Sequence, residues 1–71
     1  MIRLKIKEIA ESKGINQGQL SRLSNVGYTT IRRIFDDPYY SVNMSTLERI
    51  AKALEVPATD LIEEVPDTPN P

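Results

Sequence analysis

Residues 16–34, NQGQLSRLSNVGYTTIRRI, constrain the fold more than any other stretch of this chain. Asn16 is a good N-cap for a helix that begins one residue later, because its side-chain oxygen can accept a hydrogen bond from a first-turn amide. Asn25 stands where this helix must end, and asparagine is one of the few non-glycine residues that tolerate a left-handed backbone. Gly27 can cap a second helix that opens at Tyr28. The stretch therefore predicts two short helices joined by a turn too tight for an ordinary linker.

Each of the two helices carries apolar residues at helical spacing. On the first helix, we expect the buried face to consist of Leu20 and Leu23, with the small side chains Ser21 and Ser24 beside them. On the second helix, Ile31 and Ile34 are three residues apart and predict a narrow buried stripe. Val26 is expected to plug the corner between the helices.

The opposite face of the second helix presents Thr29, Arg32 and Arg33, with Tyr28 at its edge. Such a face can supply hydroxyl hydrogen bonds, a contact to a thymine methyl group, and guanidinium forks that match guanine O6 and N7 or phosphate. Two arginines are equally typical of a solvated surface helix, and composition alone does not separate these interpretations. The tight turn in front of them favours a helix-turn-helix, which makes double-stranded DNA the leading partner.

Composition narrows the other possibilities. A chain of 71 residues without cysteine or histidine excludes disulfides, thiolate or imidazole metal sites and histidine-dependent nucleophiles. Only unpaired carboxylates and hydroxyls are available, so we expect no enzyme activity, no catalytic residue, no metal and no cofactor. There is no apolar run near ~18 residues and no secretory leader, which predicts a cytoplasmic protein with no membrane partner.

The formal net charge of −1 hides an uneven distribution. Residues 1–54 carry nine basic and five acidic side chains, a net charge of +4, whereas residues 55–71 carry five acidic side chains and no basic one. A basic body attracts phosphate while an acidic end stays away from it. Because +4 is modest, we expect weak non-specific binding and a shallow salt dependence for one protomer.

The two chain ends carry strand-like patterns. Apolar residues alternate with basic ones over residues 1–5, and then recur at helical spacing over residues 5–13, where Gly14 would end the helix in a left-handed conformation. Residues 61–65 could form a partner strand, with Arg3 and Lys5 facing Glu63 and Glu64. A frayed terminus is the alternative.

The remaining chain reads as a loop, a helix and a tail. Pro38 ends the second motif helix and opens a loop over residues 36–43, in which Asp36 and Asp37 are expected to end the helix and form the turn. Ser45 is predicted to cap a further helix, with Glu48 at the capping-box position. Its core face is expected to comprise Met44, Leu47, Ile50, Ala51 and Leu54. A last helical turn is expected over residues 58–62, and residues 65–71 form a proline-rich tail expected to be disordered.

The order of these residues resembles the lambda-repressor-like (Cro- and XRE-type) helix-turn-helix family over about residues 4–62. The matching stretches are Leu4-Lys5, Lys13-Gly14-Ile15-Asn16-Gln17, Leu20-Ser21, Asn25-Val26-Gly27, Thr30-Ile31-Arg32-Arg33-Ile34, Thr46-Leu47, Ile50-Ala51-Lys52-Ala53-Leu54-Glu55-Val56 and Asp60-Leu61-Ile62. Two positions depart from the family pattern: Asn25 stands where glycine is usual, and Gly27 where serine or threonine usually caps. The resemblance implies an all-α fold, a compact bundle of four to five short helices, to which the residues above add a possible pairing of the two ends. A helix-turn-helix domain over residues 1–64 is expected.

The resemblance also implies the site. Tyr28, Thr29 and Arg33 would read bases, and Arg32, counted here with them, could serve either bases or phosphate. The phosphate-facing residues implied by position are Gln17, Asn43 and Ser45. The loop from Asp36 is longer than usual, and its Tyr39 and Tyr40 could contact the DNA backbone, a partner protein or, as we expect, the core.

Four functions compete at this point. A DNA-binding transcriptional regulator is favoured, acting as a homodimer because one small module discriminates poorly and family operators usually have two half-sites. The alternative is an antitoxin-like or other protein-interaction module that uses residues 61–71. An enzyme and a purely structural module are the remaining interpretations.

Overall fold

Four helices and a two-stranded sheet make up residues 1–66, the part of the chain that this computed structural model describes. In chain order the elements are β1 (Ile2–Leu4), α1 (Ile6–Ser12), α2 (Gln17–Ser24), α3 (Tyr28–Asp36), α4 (Met44–Leu54), a 3-10 turn (Ala58–Leu61) and β2 (Ile62–Glu64). The expected helical bundle with a pairing of the chain ends is confirmed. The tail predicted over residues 65–71 lies outside the described residues from position 67 onwards.

One apolar cluster holds the bundle together. Its fully buried side chains are Ile6, Leu20, Ile31, Ile34, Ile50, Leu54 and Leu61. Helix α2 packs against both α3 and α4, and the buried Ser24 satisfies its hydroxyl by donating to the Leu20 carbonyl at 2.6 Å. Val26 is buried at the corner between α2 and α3, as predicted.

The predicted helix ends are found in the backbone. Asn16 caps α2, and its side chain accepts from the Gln19 amide. Asn25 adopts a left-handed conformation, with φ of 58°, and Gly14 follows α1 with φ of 72°. Local side-chain and backbone geometry at these positions is enough to end one helix and begin the next, so the chain turns sharply within a few residues.

Two predictions about α2 and α4 are wrong. Leu23 is 60% exposed instead of buried, because Leu20 and Ser24 define the narrow stripe that α2 buries, and Leu23 lies about 100° around the helix from Ser24. Met44 is likewise exposed, at 66%, because it is the first residue of α4 and lies beyond the end of the core.

The predicted cap of α4 also differs. Asn43, not Ser45, is the N-cap, and its Oδ1 accepts from the Thr46 amide at 2.8 Å. Because the Asn43 side chain caps the helix, α4 begins at Met44, Ser45 lies inside its first turn, and Glu48 has no capping-box role.

The sheet joins the two ends of the described chain in antiparallel register. Arg3 lies opposite Glu63, and its Nη1 donates to Glu63 Oε1 at 3.0 Å, which confirms that part of the predicted charge pairing. Glu64 instead accepts from the Met1 amino group at 3.0 Å. Lys5 contributes its backbone amide, which donates to the Leu61 carbonyl at 2.8 Å.

Candidate nucleic-acid interface

Helix α3 separates its two faces cleanly. Ile31 and Ile34 are buried against the rest of the bundle. On the opposite side, the exposed side chains are Tyr28, Thr29, Arg32 and Arg33. The arrangement leaves one face of a short helix available to a groove of DNA, which is the surface predicted from helical periodicity.

The arginines on this face have no carboxylate partner. Within residues 1–66, no acidic oxygen lies within 4.0 Å of Arg32 or Arg33, although Asp36 follows Arg32 by one helical turn. The ion pairs of the described chain lie at the sheet instead, where Arg3 bonds to both Glu8 and Glu63. The acidic end of the chain is thus partly neutralised at the sheet, and the guanidinium groups of α3 keep their hydrogen-bond donors for a ligand.

The start of α2 offers backbone donors beside Gln17. Asn16 Oδ1 accepts from the Gln19 amide at 2.8 Å, and the Asn16 carbonyl accepts from the Leu20 amide at 2.9 Å. The first two amides of the helix, those of Gln17 and Gly18, have no acceptor among the residues that the structure describes. Free amides at the positive end of a helix dipole are the groups that bind phosphate oxygens.

Arg22 extends this set, and the sequence analysis missed it. A Cβ atom added to Gly18 would lie 3.8 Å from Arg22 Nη1, so the Arg22 guanidinium reaches back towards the first turn of α2. It has no carboxylate partner within residues 1–66. The signal was present in the sequence, because residues four apart share a helix face and long side chains lean towards the helix N-terminus.

A groove of about 420 Å³ has Gln17 in its wall. Lys7 lies in its wall together with Glu11 and Asp36. The two carboxylates would repel a phosphate that entered the groove, in spite of Lys7. We therefore expect the backbone of DNA to contact Gln17 outside this groove.

The remaining predicted phosphate contacts lie at the start of α4. Asn43 uses Oδ1 to cap the helix, which leaves its Nδ2 group as a donor. Ser45 is exposed in the first turn of α4. The start of α4 therefore repeats the chemistry of the start of α2, a capping asparagine followed by open amides.

The acidic pair Asp36 and Asp37 ends α3 and forms the turn, as expected. Asp36 is the last residue of α3, and Asp37 Oδ1 accepts from the Tyr39 amide at 3.0 Å. No group of three or more acidic side chains in residues 1–66 is placed to hold a metal ion. Tyr40 packs partly against the core, whereas Tyr39 is about half exposed.

Helix α3 follows a tight turn at Asn25 and exposes a face of hydroxyl and guanidinium groups. This arrangement is that of a helix-turn-helix DNA-binding protein. Residues 5–67 match the family model of the Cro/C1-type HTH DNA-binding domain, and the chain belongs to that family. This confirms the resemblance seen in the sequence and makes the protein a DNA-binding regulator. A comparison with curated proteins found no match. None of the helices in residues 1–66 has the length and apolar character needed to cross a membrane.

Proposed function

We propose that this protein is a sequence-specific transcriptional regulator that inserts α3 into the major groove of double-stranded DNA. The observation that carries the proposal is the exposed face of α3, where the guanidinium groups of Arg32 and Arg33 have no carboxylate partner within residues 1–66 while Ile31 and Ile34 anchor the helix from behind. A bidentate arginine is the side chain best matched to guanine in the major groove.

Each residue has a proposed role. Tyr28, Thr29 and Arg33 read base edges, and Arg32 contacts a base or a phosphate. Phosphate contacts come from Gln17, Asn43 and Ser45, to which the geometry of α2 adds Arg22. The protein acts by binding, without catalysis or a cofactor, in the compartment that contains the DNA, which we expect to be the cytoplasm.

The active form is proposed to be a homodimer on two half-sites, because a single module with four base-reading side chains discriminates weakly. Occupying a promoter would then control transcription. The alternative protein-interaction role was assigned to residues 61–71, but Leu61 is fully buried and Ile62–Glu64 pair with β1. Residues 61–64 are therefore used by the fold itself, which favours the DNA-binding role.

Selection of bound sequences from a random duplex pool at ~100 mM salt tests this proposal. We expect the wild-type protein to enrich a motif with two half-sites. Arg33→Ala should lose about 1–3 kcal/mol of binding free energy and relax one position of the motif. Arg49→Ala, which changes an exposed arginine of α4, is the matched control and should leave the motif intact. No enrichment by the wild-type protein would contradict sequence-specific binding, and an equal loss on all sequences would assign Arg33 to phosphate.

A further inference from the structure

An apolar groove of about 500 Å³ lies between β1, the loop after α3 and the first turn of α4. Tyr40 and Val42, both partly buried, contribute to its lining. Six large apolar side chains are exposed among the described residues. Four of the six line this groove: Met1, Ile2, Tyr39 and Met44. Exposed apolar residues scattered singly need no explanation, but their concentration in one groove marks an interaction surface.

The groove carries no charged side chain. Among the described residues that line it, none is Asp, Glu, Lys or Arg. In a dimer with two-fold symmetry the same patch forms both sides of the contact, so a charge near the axis would face its own copy. The ammonium group of Met1 is paired with Glu64 Oε2 at 3.0 Å. Apolar side chains are complementary to themselves, and this favours a second copy of the chain as the occupant.

The size of the patch indicates how stable such a dimer would be. The four side chains are 45% to 66% exposed, which at roughly 200 Å² of surface each corresponds to roughly 400 Å² of apolar area on one protomer. Two protomers would bury about 800 Å² through these side chains, below the ~1,200 Å² at which stable interfaces begin. The contact therefore fits a weak dimer that forms fully only when both copies are held on one duplex.

The groove is fixed to the end of α3 by two hydrogen bonds. The Leu4 amide donates to the Pro38 carbonyl at 2.7 Å, and the Tyr39 amide donates to Asp37 Oδ1 at 3.0 Å. Asp37 is the C-cap of α3. A partner seated in the groove would therefore hold the α3 helices of the two copies at a set separation and orientation.

We propose that this groove is the homodimer interface, and that pairing through it sets the spacing of the two half-sites. The inference rests on the proposed DNA-binding function for its purpose, but the contact itself can be measured without DNA.

Sedimentation equilibrium of the full chain, with and without DNA, tests the interface. The wild-type protein should show a reversible monomer–dimer equilibrium. Met44→Lys and Ile2→Lys should each raise the dimer dissociation constant by at least about tenfold, because each places a charge against its own copy in the symmetric contact. The matched control is Leu23→Lys, which makes the same kind of change at a similarly exposed side chain outside the groove and should leave the constant unchanged. Circular dichroism would confirm that each variant is folded.

The DNA arm separates this inference from the proposed function. On a duplex with one half-site, Ile2→Lys, which changes a residue of β1 outside the proposed DNA contacts, should bind as tightly as the wild-type protein, whereas on two half-sites it should lose the cooperativity of the second protomer. A wild-type protein that dimerises through the groove but binds no DNA would contradict the proposed function and leave the interface intact. A dimer unaffected by Met44→Lys and Ile2→Lys would overturn the inference. So would a wild-type protein that stays monomeric at all concentrations and binds two half-sites independently, and the groove would then be assigned to a different protein.

Discussion

Asn16 and Gln19 cap the first turn of α2 reciprocally. Asn16 Oδ1 accepts from the Gln19 amide at 2.8 Å, and Gln19 Oε1 accepts from the Asn16 amide at 2.9 Å. This capping box satisfies two donors that the helix cannot satisfy itself, and it determines where α2 begins. It also leaves the amides of Gln17 and Gly18 open at the surface assigned to phosphate.

Asn16→Ala should lower the free energy of unfolding by about 1 kcal/mol, because the Gln19 amide loses its acceptor. For a domain of this size the melting temperature should fall by about 4–8 °C. Urea denaturation followed by circular dichroism measures the change. Gln19→Ala keeps the Asn16 cap and should lose less. Equal losses from the two variants would show that the Asn16 acceptor has no special weight.

Glu55→Gly should stabilise the protein by about 0.5–1 kcal/mol. Glu55 ends α4 in the left-handed region, with φ of 60°, where a residue with a Cβ atom is strained by about 1–2 kcal/mol. Glycine removes the strain, but its greater conformational freedom in the unfolded chain opposes folding, and this reduces the net gain in stability. Glu55→Gln removes the charge and keeps the strain, so it should give no comparable gain in urea denaturation. A similar gain from Gln would attribute the effect to charge.

Acid should weaken the contact between Arg3 and Glu8. Burial acts to raise the pKa of Glu8, but the hydrogen bond from Arg3 and the positive charges of Arg3 and Lys7 outweigh it and hold this pKa below its ordinary value of 4.5. A carboxyl with a lowered pKa in the folded state adds stability above the unfolded pKa, and this stability is lost as the pH falls through the folded pKa. The effect should be small, because Glu8 is about half exposed.

Urea denaturation of the wild-type protein and Glu8→Gln, from about pH 6 down to about pH 3, measures this contribution. The wild-type protein should be the more stable above pH 4.5, and the difference should shrink below it. An NMR titration of the Glu8 carboxyl would give its pKa directly. Parallel stability profiles for the two proteins would contradict the prediction.

Arg22→Ala should weaken binding to all DNA sequences by a similar factor. It should also reduce the slope of the logarithm of the binding constant against the logarithm of salt concentration by about one unit. The reason is that the Arg22 guanidinium, placed beside the first turn of α2, is proposed to contact phosphate. Fluorescence anisotropy with two unrelated duplexes over a range of salt measures both effects. Arg49→Ala should change neither. Loss on only one duplex would instead make Arg22 a base-reading residue.

The sequence was sufficient for features that depend on a few neighbouring residues. Asn16 begins α2, and Asn25 and Gly14 end helices, through hydrogen bonds and backbone preferences that act over one turn, so their positions were predicted correctly. Ile31 and Ile34 were also identified, because α3 has one strong apolar stripe. Family membership followed from the order of these same local signals.

The tertiary structure decided the features that depend on which elements meet. Leu23 and Met44 are apolar but exposed. Leu23 lies outside the narrow stripe that α2 buries, and Met44 is the first residue of α4 and lies beyond the end of the core. The pairing of Arg3 with Glu63 required two chain ends to come together, for which the sequence offered only charge complementarity. The groove that we assign to a second copy arises in the same way, because its walls come from β1, the loop after α3 and α4, and no local pattern brings these together.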